Sequence, residues 1–171
     1  LNRYQLLLIE GPKMPKPLEG IRVLDLTNIL AGPFCCHHLA HLGAEVIKVE
    51  TVDRGDLARQ LGADSELNAA GMGVSFLAQN AGKKSVTVNL KELKGKELFI
   101  KLVESADVLV ENFRPGVMAR LGVDYETLKS INQTLIYCAI SGFGQDGPWV
   151  HRPAYDQIIQ GVSGVMSITG A

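Results

Sequence analysis

The sequence predicts an α/β fold, a parallel, doubly wound sheet with flanking helices. Two observations carry this. Short β-branched runs alternate along the chain with segments of helical length, an order that favours parallel strands joined by right-handed crossovers. Residues Ile21 to Glu50 also read as a complete strand–helix–strand unit, running from Ile21-Arg-Val-Leu-Asp-Leu-Thr27 through an apolar helical segment to Glu45-Val-Ile-Lys-Val-Glu50. Pro33 suits a first helical turn, where its missing N–H costs nothing, and Gly43 lies where a helix should be capped.

Residues 1–20 carry three of the seven prolines and read as a lead-in. One domain is expected over 17–171, with 1–16 poorly ordered. After the second strand, Thr51–Gly73 holds four glycines and four acidic residues without a strong period and is expected to be surface loop with short helical turns. Val74–Asn80 is a weak apolar segment, and Ser85–Leu90 alternates as a third strand. Lys91–Ala106 places Leu93, Leu98, Ile100, Leu102 and Val103 among lysines and glutamates, the pattern of an amphipathic helix. Asp107–Phe113 is a fourth strand, broken by Arg114-Pro-Gly116. Two short helices, Val117–Leu121 and Tyr125–Ile131, join through Gly122, and Leu135–Ser141 is a fifth strand. Gly142–Pro153, with three glycines and two prolines, is loop, and Tyr155–Met166 is expected to form one last helix.

Hydrophobic content of 46% and charged content of 20% are those of a soluble globular protein. A formal net charge of −1 gives no electrostatic case for nucleic acid or for an anionic membrane surface. No apolar run approaches the ~20 residues that span a bilayer. Leu6–Ile9 has neither the length nor the flanks of a signal peptide. Three cysteines, two of them adjacent, make no disulfide framework and point to a reducing compartment. A first residue other than methionine, and a last stretch Ser163–Ala171 that stops as if entering a turn, read as a fragment of a longer chain.

Ligands of open parallel sheets settle at the carboxyl ends of the strands, which makes Thr27–Pro33 the first candidate site. That loop lacks the G-x-G-x-x-G turn, so a nicotinamide dinucleotide is disfavoured, although backbone N–H groups at a helix start still suit an anion. Cys35, Cys36, His37, His38 and His41 invite a metal. At 100° per residue, however, Cys35, Cys36, Leu39, Ala40, Leu42 and Gly43 share a face expected to pack on the sheet, while the histidines lie opposite. His37 and His41 then lack a third ligand, and no metal site is expected. Lys83 and Lys84 suit phosphates as point charges, and equally suit a solvated strand start. Asn112, Phe113 and Arg114, with Arg120 a turn or two later, offer an amide, an aromatic face and guanidinium groups for an adenine nucleotide; equally, Phe113 packs a strand end. Asp156 beside Tyr155 is a candidate nucleophile or base, but reads better as an acid in the first turn of a helix. No Ser-His-Asp or Cys-His arrangement is legible.

One ordered set of motifs goes further. Pro17-Leu-Glu-Gly-Ile-Arg-Val-Leu-Asp-Leu-Thr27, Leu30-Ala-Gly-Pro-Phe34 and Leu42-Gly-Ala-Glu-Val-Ile-Lys-Val-Glu50 come first. Gly55-Asp56 with Arg59, Lys83-Lys-Ser85, Asp107-Val-Leu-Val-Glu-Asn-Phe113, Pro115-Gly116, Ser141-Gly-Phe-Gly-Gln145, Tyr155-Asp156 and Ser163-Gly164 follow. The set resembles the class III CoA-transferases, the formyl-CoA and carnitine-CoA transferase group, and within them the succinate–hydroxymethylglutarate (glutarate) branch. The resemblance implies the N-terminal part of a Rossmann-like large domain in an interlocked homodimer. It implies acyl-CoA, such as succinyl-CoA, and a free carboxylic or dicarboxylic acid as substrates, with no permanently bound cofactor. It places Ile29, Leu30 and Ala31 along CoA, and Lys83, Asn112, Phe113 and Arg120 around its nucleotide. Ser141 stands where some members carry lysine. A mitochondrial matrix location is favoured over the cytoplasm. The family's nucleophilic aspartate falls in a motif after the Ser-Gly…Thr-Gly turn, hence beyond Ala171, so residues 1–171 are expected to bind CoA without reacting. Two alternatives stand beside this. A racemase of the α-methylacyl-CoA type would need a histidine where Tyr155 stands, and tyrosine with a pKa of about 10 is a poor base at neutral pH. The other is a non-catalytic truncated product.

Overall fold

The computed structural model describes residues 14–170, so the expectation of a poorly ordered lead-in falls almost wholly outside the described residues. Five strands form one sheet: β1 (Arg22–Asp25), β2 (Glu45–Glu50), β3 (Lys84–Thr87), β4 (Val108–Glu111) and β5 (Ile136–Ala139). Their order is β3-β2-β1-β4-β5, and every neighbouring pair is parallel. Leu24 of β1 lies opposite Ile47 of β2 on one side and Leu109 of β4 on the other. The helices are α1 (Ala31–His41), α2 (Ser65–Ala69), α3 (Val74–Asn80), α4 (Leu93–Glu104), α5 (Val117–Leu121), α6 (Tyr125–Ile131) and α7 (Asp156–Val162).

Alternate strand residues feed two separate apolar layers, as a sheet covered on both faces requires. On one side Leu24, Leu26, Val49 and Leu109 pack against Phe99 and Val103 of α4, Met118 of α5 and Leu128 of α6. On the other, Val23, Val46 and Val110 pack against Cys36 of α1, with Leu39 and Ala40 partly buried beside them. The helix linking β1 to β2 and those linking β3 to β4 and β4 to β5 therefore lie on opposite faces. The winding reverses between β1 and β4, the place at which open parallel sheets form their ligand site, outside the carboxyl ends of the strands.

Two helices depart from expectation. In α4 the buried residues are Phe99 and Val103, while Leu93 and Leu98 are exposed. Taking Phe99 as the centre, Val103 lies 40° away around the helix and Leu102 60°, but Leu98 lies 100° away and Leu93 120°. The expected single helix over Tyr155–Met166 is two pieces, α7 and a 3₁₀ turn at Val165–Ser167, because Gly164 between them adopts φ 81°. Gly43, at φ 108°, follows Leu42, the residue that caps α1, as its capping role requires.

Phe99 is fully buried whereas Leu98 is 58% exposed. Phe99→Ala is expected to cost about 3–5 kcal/mol in a urea titration, and Leu98→Ala no more than about 0.5 kcal/mol. Equal losses at the two positions would contradict the packing described.

Candidate functional site

The loop between β1 and α1 stands at that reversal. Leu26 N–H still donates to Val110 O of β4 (2.9 Å), as a parallel ladder demands. At the next rung the partner changes: Asn28 N–H donates to the side-chain Oδ1 of Asn112, and Asn112 Nδ2 donates to Asn28 O, both at 2.8 Å. The side-chain amide thus stands in for a strand peptide and holds the loop after both strands have ended. Ile29 follows at φ 71°, the one residue other than glycine with positive φ among the described residues. A β-branched residue is strained there, by about 1–3 kcal/mol. Its N–H donates to Asp56 Oδ1 (3.0 Å). Ile29 (40%), Leu30 (52%) and Phe34 (54%) are exposed at this edge, an apolar strip beside the start of α1. Gly32 lets the helix come this close, since a Cβ there would lie 2.3 Å from Thr27 Cβ.

Beneath the loop lie four charged side chains with almost no access to water: Asp25, Lys48, Asp56 and Lys83. Lys48 Nζ donates to Thr27 O (2.8 Å) and sits 2.8 Å from Asp56 Oδ2 and 3.8 Å from Asp25 Oδ2. Asp56 Oδ2 has no aligned hydrogen-bond donor, so charge holds that contact. Lys83 Nζ donates to Asp25 Oδ2 (2.8 Å), Pro33 O (2.9 Å) and Asn80 Oδ1 (2.8 Å). Asp25 also accepts from the backbone N–H and hydroxyl of Thr27. Two acids and two ammonium groups balance, which is what makes such burial tolerable. Burial lowers the Lys83 pKa, and the Asp25 carboxylate opposes the shift. The Cys36 thiol is pushed up, first by burial and then by Asp25.

At the rim, Glu50 accepts twice from Arg59 (2.7 Å each), and also from Ser85 Oγ (2.6 Å) and Asp56 N–H (2.8 Å). Burial pushes its carboxyl up, but the Arg59, Ser85 and backbone hydrogen bonds outweigh this and hold it at about 2. The Arg59 guanidinium lies 3.7 Å over the Phe76 ring and donates to Gly71 O (3.2 Å). A second opening, a cavity of about 640 Å³, lies beside the end of β4, lined by Glu111, Arg114, Gly116, Tyr125, Tyr137 and Gln145 among others. Burial raises the pKa of Glu111 there.

Of the residues singled out from sequence, the structure brings Ile29, Leu30 and Ala31 together with Asn112 where the winding reverses. Phe113 is adjacent and partly buried against the core, and Arg120 is exposed on α5, with its guanidinium close over Gly116. Lys83 is not with them: its ammonium points inward and its three N–H groups are engaged. Asn112 likewise spends its amide on Asn28. His37 and His41 meet through their Nε2 atoms at 2.9 Å, and among the described residues no three His, Cys, Asp or Glu side chains gather as a metal would need. Asp156 opens α7 and accepts from Gln160. Ser141 Oγ donates to Gly144 O (2.9 Å). Sequence reasoning assigned no role to Asp25, Lys48 or Asp56. The signal was there: Asp25 and Lys48 interrupt the apolar runs of strands buried on both faces, where a lone charge requires a partner.

Residues 18–171 match the family model described as CoA-transferase family III. The chain is similar to the succinate–glutarate CoA-transferase of Agrobacterium fabrum, 46% identical over 166 residues that make up 95% of this chain and 42% of that protein. It is also similar to the acetyl-CoA:oxalate CoA-transferase of Acetobacter aceti, 48% identical over 160 residues, 93% of this chain and 40% of that protein. Among solved structures, a CAIB/BAIF family protein from Brucella suis superposes with a TM-score of 0.83 at 45% identity, covering 92% of this chain and 42% of that one. The chain spans about two fifths of the length of these relatives.

The Glu50 carboxyl sits below its ordinary 4.5, so the stability it contributes is complete above pH 4.5 and is lost as pH falls from there toward about 2. That loss is expected to reach roughly 3 kcal/mol. Glu50→Gln should weaken the protein at neutral pH and flatten the acid limb of a stability–pH curve over this window; an unchanged limb would contradict the ion pair.

Proposed function

The chain belongs to CoA-transferase family III, and from that premise we propose that it forms the CoA-holding part of an enzyme that moves CoA from succinyl-CoA to a free dicarboxylic acid. The observation that carries the reading is the Asn28–Ala31 loop, pinned open at the sheet's winding reversal with its apolar side chains exposed and no dinucleotide glycine turn. The strip of Ile29, Leu30 and Phe34 suits the pantetheine arm. Arg120, exposed on α5, suits a phosphate of the nucleotide. Lys83 and Asn112 serve the nucleotide only indirectly in this reading, by holding α1 and the loop. Succinate–glutarate and acetyl-CoA:oxalate transferases among the relatives support a dicarboxylic acceptor. The three free cysteines fit a reducing compartment, the mitochondrial matrix included, and no helix among the described residues is long and apolar enough to cross a membrane.

Exchange of one carboxylate for another on the CoA sulfur calls for a nucleophile that takes the acyl group from CoA, then holds CoA itself while the donor acid leaves and the acceptor enters. In the proposed route an aspartate attacks the donor thioester and releases CoA thiolate with formation of a mixed anhydride. The thiolate then attacks the aspartyl carbonyl and releases the donor acid. The acceptor carboxylate reverses the sequence. The acids at this site are already engaged, Asp25 and Asp56 by lysines and Glu50 by Arg59, which supports a nucleophile supplied by the motif after the Ser163–Thr169 turn. The exposed apolar side chains of α7 and its neighbour turn, Ile158, Val162 and Ile168, suit burial against a second copy in a homodimer.

The full-length protein is expected to form the acceptor's CoA thioester and free succinate from succinyl-CoA and glutarate or oxalate. Exchange of the acyl α-proton with deuterated water in the absence of CoA transfer would reverse the reading in favour of a racemase. Residues 1–171 alone are expected to bind CoA and to transfer none; transfer by this segment would displace the proposed nucleophile. Arg120→Ala is expected to weaken CoA by about tenfold, and unchanged affinity would show that Arg120 holds no phosphate of the nucleotide.

A further inference from the structure

We propose that Asp56 is a positioning residue for the CoA site, acting through the backbone of Ile29. The inference rests on the reading of the Asn28–Ala31 loop as a CoA contact. Ile29 occupies a conformation that a β-branched residue does not adopt unaided, so something must hold it there. Two groups do. Asn112 takes the Asn28 peptide from the β4 side. From the β2 side, Asp56 takes the Ile29 N–H on Oδ1, 27 residues away in sequence. The same oxygen accepts from Ala58 N–H at 2.9 Å, which starts the 3₁₀ turn Leu57–Gln60, so the carboxylate is itself held by a rigid element. Lys48 neutralises it through Oδ2, and Glu50 fixes its backbone through the Asp56 N–H. Oδ1 thus carries both hydrogen bonds of this buried side chain, and Oδ2 carries its ion pair with Lys48. The one that reaches the site is the contact to Ile29. Asp56 touches no substrate in this arrangement; it sets the direction in which Ile29 and Leu30 present their side chains.

Removing Asp56 alone would orphan a buried Lys48 and risk unfolding the protein. Two charge-balanced variants avoid this. Asp56→Asn with Lys48→Met keeps an acceptor oxygen for Ile29, whereas Asp56→Leu with Lys48→Met does not. In the full-length protein the measurements are amide hydrogen exchange at Ile29, thermal melting, and titration with free CoA. The leucine variant also frees the Ala58 N–H and is expected to melt below the asparagine variant, with both folded at the assay temperature. The leucine variant should exchange the Ile29 amide at least tenfold faster and bind CoA roughly five- to tenfold more weakly than the asparagine variant, the loss of Lys48 being common to both. Equal exchange at Ile29 in the two variants would overturn the proposal, and so would released exchange with unchanged CoA affinity. If the unmodified protein binds no CoA, the functional reading falls and the positioning role falls with it. That failure is distinct, because it appears before any substitution is made.

Discussion

Asp25, Lys48, Asp56 and Lys83 face one another where almost no water reaches, and the rest of the site hangs on that balance. A cluster of this kind adds little net stability over an apolar one of the same size, because desolvation of four charges offsets most of their attraction. Its effect is geometric. Through its members run contacts to Thr27 O, Ile29 N–H and Pro33 O, three backbone groups that span the turn from β1 into α1. Each charge has a partner whose removal would leave another buried and alone, so the turn is fixed from below by groups that cannot relax independently.

This explains how an exposed apolar loop stays in one conformation without being packed. Exposed connecting segments usually owe their mobility to the lack of buried contacts and the solvation of their hydrogen bonds. Here Ile29, Leu30 and Phe34 face outward, while the peptide groups behind them are tied to the sheet on one side and to a buried carboxylate on the other. The apolar strip is presented by a rigid support, so little further ordering is left for a ligand that would seat on it to impose.

Much of the fold was legible. The βαβ unit, the two short helices around Gly122 and the fifth strand follow from periodicity and punctuation, which act over a few residues. The failures came where a distant partner decides. Phe99 was passed over in α4 and Leu98 counted, because the pattern of lysines blurs the apolar face and only the strands beneath it define the centre. The site divides the same way. Asn112 was found by its place at a strand end, but not the use of its amide, which depends on a loop 84 residues earlier. Lys83 reads from sequence as a charge for phosphate or as a solvated strand start, since its partner Asp25 is 58 residues away. Asp56 lay in a glycine-rich stretch without period, where nothing local tells a buried acid from a solvated one.

The Asn28–Asn112 pair has a consequence for which residues position 112 tolerates. The strand ladder asks there for one donor and one acceptor at the spacing of a peptide group, and the side chain supplies them one bond-length pattern removed from the main chain. Aspartate has the shape but would set a carboxylate oxygen against the Asn28 carbonyl. Glutamine has the chemistry but carries it a methylene too far. Leucine fills the space and satisfies neither group. At this point a side chain meets, with one donor and one acceptor together, the demand that the ladder makes of a peptide group, and asparagine answers both halves of it.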